Sequence, residues 1–106
     1  MLLSNQKKYE KGDLVSFKLA NGDEIVAEIV ESTVSGWVLK KPCIVVPSQQ
    51  GIGLMQALFT GNMEHNVELN ASSVLLHAET IPEMHSHYFK TTTGLDVAPK
   101  SSIVTN

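Results

Sequence analysis

Four histidines, at 65, 77, 85 and 87, and the single Cys43 are the side chains of this 106-residue chain best suited to bind a metal or move a proton. Their spacing supports neither role. His85 and His87 form a pair on paper, but on a helix residues two apart point to nearly opposite sides. No carboxylate or cysteine completes a ligand set at metal-site spacing. His85 falls on an apolar helical face and reads as a packed residue with one satisfied ring nitrogen. Cys43 lies inside an apolar run, which favours a buried small hydrophobe over a reactive thiol. A lone cysteine also excludes an intramolecular disulfide and any multi-cysteine zinc site. Serines and carboxylates occur, but none stands in a nucleophile-elbow, phosphate-loop or paired-acid context. The expectation is a protein without catalytic residues, metal or cofactor, and so not an enzyme.

Residues Ser32 to Trp37 suit binding better. Trp37 is the only tryptophan and follows the flexible pair Ser35-Gly36. A base stacked on an exposed indole gains about 1–3 kcal/mol with little regard to sequence. The competing reading packs Trp37 in the core or at a subunit contact, and general burial habits favour it. The cations are eight lysines and no arginine, on a chain of net charge −3. Arginine is the usual bidentate partner of phosphate and guanine, so its absence argues against a dedicated high-affinity reader of nucleic acid. Lys7, Lys8 and Lys11 suit either a basic arm or a solvated N-terminus. Lys40 and Lys41 take successive strand positions, face opposite ways and make no single patch.

The elements that must position these residues are mostly strands. Val15, Phe17 and Leu19 alternate with Ser16 and Lys18, and Ile25, Ala27 and Ile29 alternate with Glu24, Val26 and Glu28. Asn21-Gly22 between them predicts a type I′ hairpin. The strands expected are Asp13–Leu19, Glu24–Glu31, Trp37–Val46, Ile52–Phe59 and Ser73–Glu79, with Val67–Leu69 either a sixth strand or the fourth resuming. From Thr80 the period changes. Ile81, Met84, His85, Tyr88 and Phe89 share one helical face, Thr80 and Glu83 form a capping box, and Gly94 is placed to end the helix. Thr91 to Thr93 should fray it earlier. The resulting division is a lead-in over 1–11, one β domain over 12–79, a helix over 80–94 and a tail over 95–106, where Ile103-Val104 could dock.

At 106 residues with 42% apolar and 18% charged residues, one modest core is expected. Met1-Leu2-Leu3 is too short for a signal-peptide core and no apolar run reaches membrane-spanning length, so the expectation is a soluble, cytoplasmic protein with no membrane partner. Two features point to assembly. A small sheet leaves two open edges unless it closes. The second and third strands are also apolar on both faces, through Val26 and Val30 and through Ile44-Val45-Val46. Either the C-terminal helix covers the second face, or identical subunits pair edge to edge in a ring.

With these residues in view, the chain resembles Sm-like (LSm) proteins, including the kind encoded by marine phages. Val15-Ser16-Phe17-Lys18-Leu19-Ala20-Asn21-Gly22 followed by Ile25-Val26-Ala27-Glu28-Ile29 matches the first motif of that family, and Val38-Leu39 its third strand. Leu69-Asn70-Ala71 followed by Val74 and Leu76 falls on the second motif. The resemblance covers about residues 12–79. It implies a small, strongly bent, five-stranded antiparallel barrel of the SH3 type, here with a C-terminal helix. It further implies a homo-oligomeric ring of about five to seven subunits that binds single-stranded nucleic acid, RNA above DNA, with a role in nucleic-acid processing, in the host cytoplasm if phage-encoded. The implied contacts are Ser32, Ser35, Gly36 and Trp37 in one loop, Asn70 and Ser72 in the other, and Lys7 and Lys8 in the arm. Where the family offers Asp and Asn in the base-binding loop, this chain has Ser32 and Gly36, and Asn70-Ala71 replaces its Arg-Gly turn. The alternative, from a different class, is a structural or protein-interaction ring with no affinity for nucleic acid.

Overall fold

A computed structural model of the chain describes residues 9–97, with side chains to Thr93. The expected lead-in structure, Lys7, Lys8 and the Ile103-Val104 pair lie outside the described residues. The order of elements is β1 (Leu14–Leu19), β2 (Glu24–Thr33), β3 (Gly36–Ser48), β4 (Gly51–Gln56), β5 (Val67–Asn70), a 3-10 turn (Ala71–Ser73), β6 (Val74–Glu79) and α1 (Glu83–Val97). The strands make one antiparallel sheet in the order β4-β3-β2-β1-β6, with β5 also on β3. The chain is therefore mainly β with a C-terminal helix. The sheet has six strands rather than five and is not closed.

The sixth strand arises because β3 is long enough to serve two partners on one side. β4 pairs with Cys43–Ser48 and β5 with Gly36–Leu39, so both run in the same direction along it. Between them β3 bulges. Val26 faces Cys43 but Glu28 faces Lys40, which puts one extra residue on β3 where Lys41 takes a positive φ of 46°. A second bulge, on β2, sets Ile29 and Glu31 against the adjacent Leu39 and Val38. Bulges of this kind bend a strand and increase its twist.

The first hairpin differs from the expected type I′ turn. That type needs positive φ at both central residues, yet only Gly22 has it, at 99°. Gly22 N–H donates to Leu19 O (2.9 Å) and Leu19 N–H to Asp23 O (2.8 Å), the pattern of a type I turn closed by a glycine bulge. The Asn21 Oδ1 accepts from Asp23 N–H at 3.0 Å and fixes the turn from the side.

Strand alternation divides the apolar residues between two faces. Val15, Phe17, Ile25, Ala27, Ile29 and Leu39 form one buried cluster, with Leu19, Trp37, Ile44, Leu69 and Val74 packed on it. On the other face Leu14, Val26 and Cys43 bury against Tyr88 of α1, flanked by Val45 and Leu54. Covering of the second face by the helix thus holds for this cluster. Cys43 is a packed residue: burial pushes its thiol up to about 11, and nearby Lys41 offsets this only in part.

The helix docks through Met84 and Tyr88 as expected, but not through Ile81 and Phe89. Tyr88 is 1% exposed and Thr92 is buried, with Met84 half-buried, whereas Ile81 and Phe89 remain 59% and 45% exposed. The buried stripe therefore runs 84, 88, 92. The Tyr88 hydroxyl lies 3.0 Å from both Lys40 O and Lys41 O, carbonyls at the β3 bulge. Thr80 caps no helix: its hydroxyl bonds Ser16 Oγ at 2.8 Å, and α1 begins at Glu83. The threonines do not end the helix either. Thr92 Oγ1 donates to Tyr88 O at 3.0 Å within the helix, which continues past Gly94 to Val97. No described helix is long and apolar enough to cross a membrane.

Candidate nucleic-acid interface

Two turns that are far apart in sequence meet at one end of the sheet. The β2–β3 turn, Val34-Ser35, lies beside the turn after β5, and Ala71 N–H donates to Ser35 O at 2.8 Å. Gly36 and Asn70 are ladder partners just inside these turns. Gly36 is buried, and a Cβ there would run into the carbonyl oxygen of Leu69 and come within 3.0 Å of Ala71 N. Gly36 thus has a structural role beside its place in the cleft lining. Glycine is needed because two backbones approach too closely for any side chain.

Beside the turns lies an open cleft of about 540 Å³, lined by Ser32, Thr33, Gly36, Trp37, His77 and Glu79, together with Tyr9, Val34, Ala71 and Ala78. Its wall is aromatic. Trp37 packs on Phe17 with ring centroids 4.9 Å apart and meets His77 edge-on at 5.0 Å. Tyr9 meets His77 at 5.6 Å, and its hydroxyl lies 2.7 Å from His77 Nδ1. Trp37 consequently fits both earlier readings: it supports the core through Phe17 while lining the cleft.

Of the residues singled out from sequence, Ser32, Gly36 and Trp37 line this cleft. Ser32 sits on β2 opposite Trp37 rather than in a loop. Ser35 and Asn70 flank the meeting of the turns, while Ser72 lies exposed in the 3-10 turn and does not line the cleft. Tyr9, Thr33 and Glu79 were not singled out, and His77 only as one of four histidines whose spacing supports no metal site. The sequence signal for His77 and Glu79 was their place in the last strand. A register shift opposite Lys18 and Leu19 makes Leu75 an extra residue, which turns His77 to the side of Phe17.

The cleft has a definite electrostatic character. Among the described residues, Glu79 is the one charged residue that lines it, and no lysine does so. The face is suited to planar, uncharged groups more than to a phosphate. Among the described residues, no three His, Cys, Asp or Glu side chains gather as a metal site would require. Compared with known proteins, the chain matches no family model, and no curated protein matches it.

Proposed function

We propose that this chain is an Sm-like protein that assembles into a homo-oligomeric ring of about five to seven subunits and holds single-stranded nucleic acid, RNA in preference, at the turn cleft. The observation that carries the reading is the joining of the β2–β3 turn to the turn after β5 beside the Trp37–His77–Tyr9 wall. Aromatic platforms of this kind take unstacked bases with little dependence on sequence. Phosphates are left to lysines beyond the described lining, and Lys7 and Lys8, as a basic arm, are the candidates.

Assembly draws its support from the sheet edges. Among the described residues β6 pairs only with β1, and β4 and β5 each only with β3, so three strands have one unpaired side each. Leu75 and Leu76 on β6, and Ile52 and Met55 on β4, are exposed large apolar residues. Edges like these pair with another chain, and a head-to-tail pairing that closes gives a ring. A second reading, a protein-interaction ring without nucleic-acid affinity, draws on a lining in which, among the described residues, the one charged side chain belongs to Glu79.

Native mass measurement with a single-stranded oligonucleotide, at low and moderate salt, tests the proposal. The expected result is a closed oligomer that takes up oligonucleotide, with affinity falling as salt rises. Lys7→Ala combined with Lys8→Ala should weaken all sequences alike and flatten the salt dependence. A monomer at micromolar concentration would overturn the ring. A ring that ignores the oligonucleotide would select the interaction scaffold.

A further inference from the structure

We propose that Tyr9 is a positioning residue that fastens the N-terminal arm to the cleft wall, so that Lys7 and Lys8 reach the phosphates of a strand whose bases lie on Trp37 and His77; this rests on the nucleic-acid reading above. Three observations carry it. The first is how Tyr9 is held. Its ring packs on the buried cluster formed by β1, β2 and β3 and meets His77 edge-on at 5.6 Å. Its hydroxyl lies 2.7 Å from His77 Nδ1, and the residue lines the cleft. The first described residue is thereby joined to the last strand.

The second observation is the turn that follows. Asp13 Oδ2 accepts from Glu10 N–H at 2.9 Å, and Asp13 N–H donates to Glu10 O at 3.0 Å. Gly12 N–H donates to Ile29 O at 2.9 Å and Ile29 N–H to Asp13 O at 2.8 Å, which ties the turn to β2. Gly12 takes a φ of 96°, a conformation that glycine adopts without a steric penalty. Tyr9 is thus fixed by its side chain and by the backbone just after it.

The third is the place of the nearest cations in sequence. Among the described residues no lysine lines the cleft. Lys8 is bonded directly to Tyr9, and Lys7 is one residue further. Consecutive Cα atoms are about 3.8 Å apart, so both lysine backbones stay within about 8 Å of the Tyr9 Cα whatever path the arm takes. Each adds a flexible four-carbon stem that ends in an ammonium. A strand on the aromatic wall then meets two cations tethered beside it, at a local concentration that an unfastened arm would not provide.

A double-mutant cycle with hexa-adenylate tests the clamp, and Trp37, the only tryptophan, reports binding through its fluorescence. In the parent protein, Lys7→Ala combined with Lys8→Ala should weaken binding about tenfold. The log–log salt slope should shrink by about 1.4, the share of two phosphate contacts on a single strand. With Tyr9→Ala in place, the same lysine pair should cost no more than about threefold, and the slope should change by less than half as much. Tyr9→Phe keeps the packed ring and loses only the hydroxyl bond, so it closes the cycle on a folded protein; there the pair should cost about fivefold. Lys90→Ala removes a cation from α1, which packs on the opposite face of the sheet, and should change affinity by less than about twofold. Equal losses from the lysine pair with Tyr9 intact and replaced would overturn the clamp while leaving nucleic-acid binding in place. No loss from the pair in the parent, or as large a loss from Lys90→Ala, would overturn it as well, since the phosphates would then be met elsewhere. Failure of the parent to bind either hexa-adenylate or hexa-uridylate would remove the nucleic-acid reading itself.

Discussion

Tyr88→Ala should destabilise the chain by about 4 kcal/mol, while Phe89→Ala, its neighbour on the same helix, should cost under about 1 kcal/mol. The difference follows from burial. Tyr88 is 1% exposed among Leu14, Val26 and Cys43, and Phe89 is 45% exposed. Removing the ring leaves a cavity between helix and sheet, and removing the hydroxyl strips a donor from the carbonyls of Lys40 and Lys41. Those carbonyls sit where β3 bulges between its pairings with β4 and β5. Tyr88→Phe isolates that second part and should cost about 1–2 kcal/mol. Urea unfolding of the three variants checks the ranking. Equal losses for Tyr88→Ala and Phe89→Ala would mean that the helix docks on another face.

Gly36→Ala should be nearly as damaging, by about 3 kcal/mol, although it adds only a methyl group. The obstacle is backbone rather than a side chain that could swing aside. A Cβ on Gly36 meets the Leu69 carbonyl and lies 3.0 Å from Ala71 N. Relief requires β5 to move off β3, which would also break the Ala71 N–H to Ser35 O bond that joins the two turns. The amides of Val67–Asn70 should then exchange with solvent much faster than those of β1 and β2. Unchanged stability and exchange in this variant would show that the turns do not meet as described.

How much of this could be read from the chain depends on whether the signal was local. The β1–β2 hairpin was legible because alternation and Asn21-Gly22 are short-range features, though Gly22 alone takes the positive φ and the turn type differs. The bent β3 was legible as a strand, while its bulge at Lys41 went unread. Pro42 beside it, which has no N–H and sits within sheets only at edges or bulges, is the local signal, and a tyrosine 47 positions away helps to satisfy the bulge. A helix in this stretch was legible, but it runs three residues later than expected and its face is rotated. Ile81 lies before its first turn, so counting the apolar period from there shifted the stripe onto Phe89 and off Thr92. A threonine at the buried position hid the true face, since its hydroxyl is satisfied within the helix.

For the candidate site the same distinction holds. Ser32, Gly36 and Trp37 cluster in sequence and were found together, whereas His77 and Glu79 needed the register of β6 against β1. Plain alternation groups Leu76 with Val74. The shift at Leu75 instead turns Leu76 out and His77 in, and no feature of the isolated strand reports it. Tyr9 reaches His77 across 68 positions, a contact that only the folded chain defines.

The central claim is that the cleft between the two turns is where nucleic acid is held, and amide chemical-shift mapping during a titration with single-stranded oligonucleotide tests it most directly. The account predicts that the largest shifts fall on Ser32 to Trp37, on Asn70 to Ser73, and on His77 to Glu79, together with the indole N–H of Trp37. Shifts confined to α1 or to the β3–β4 hairpin, with the Trp37 indole unmoved, would contradict it.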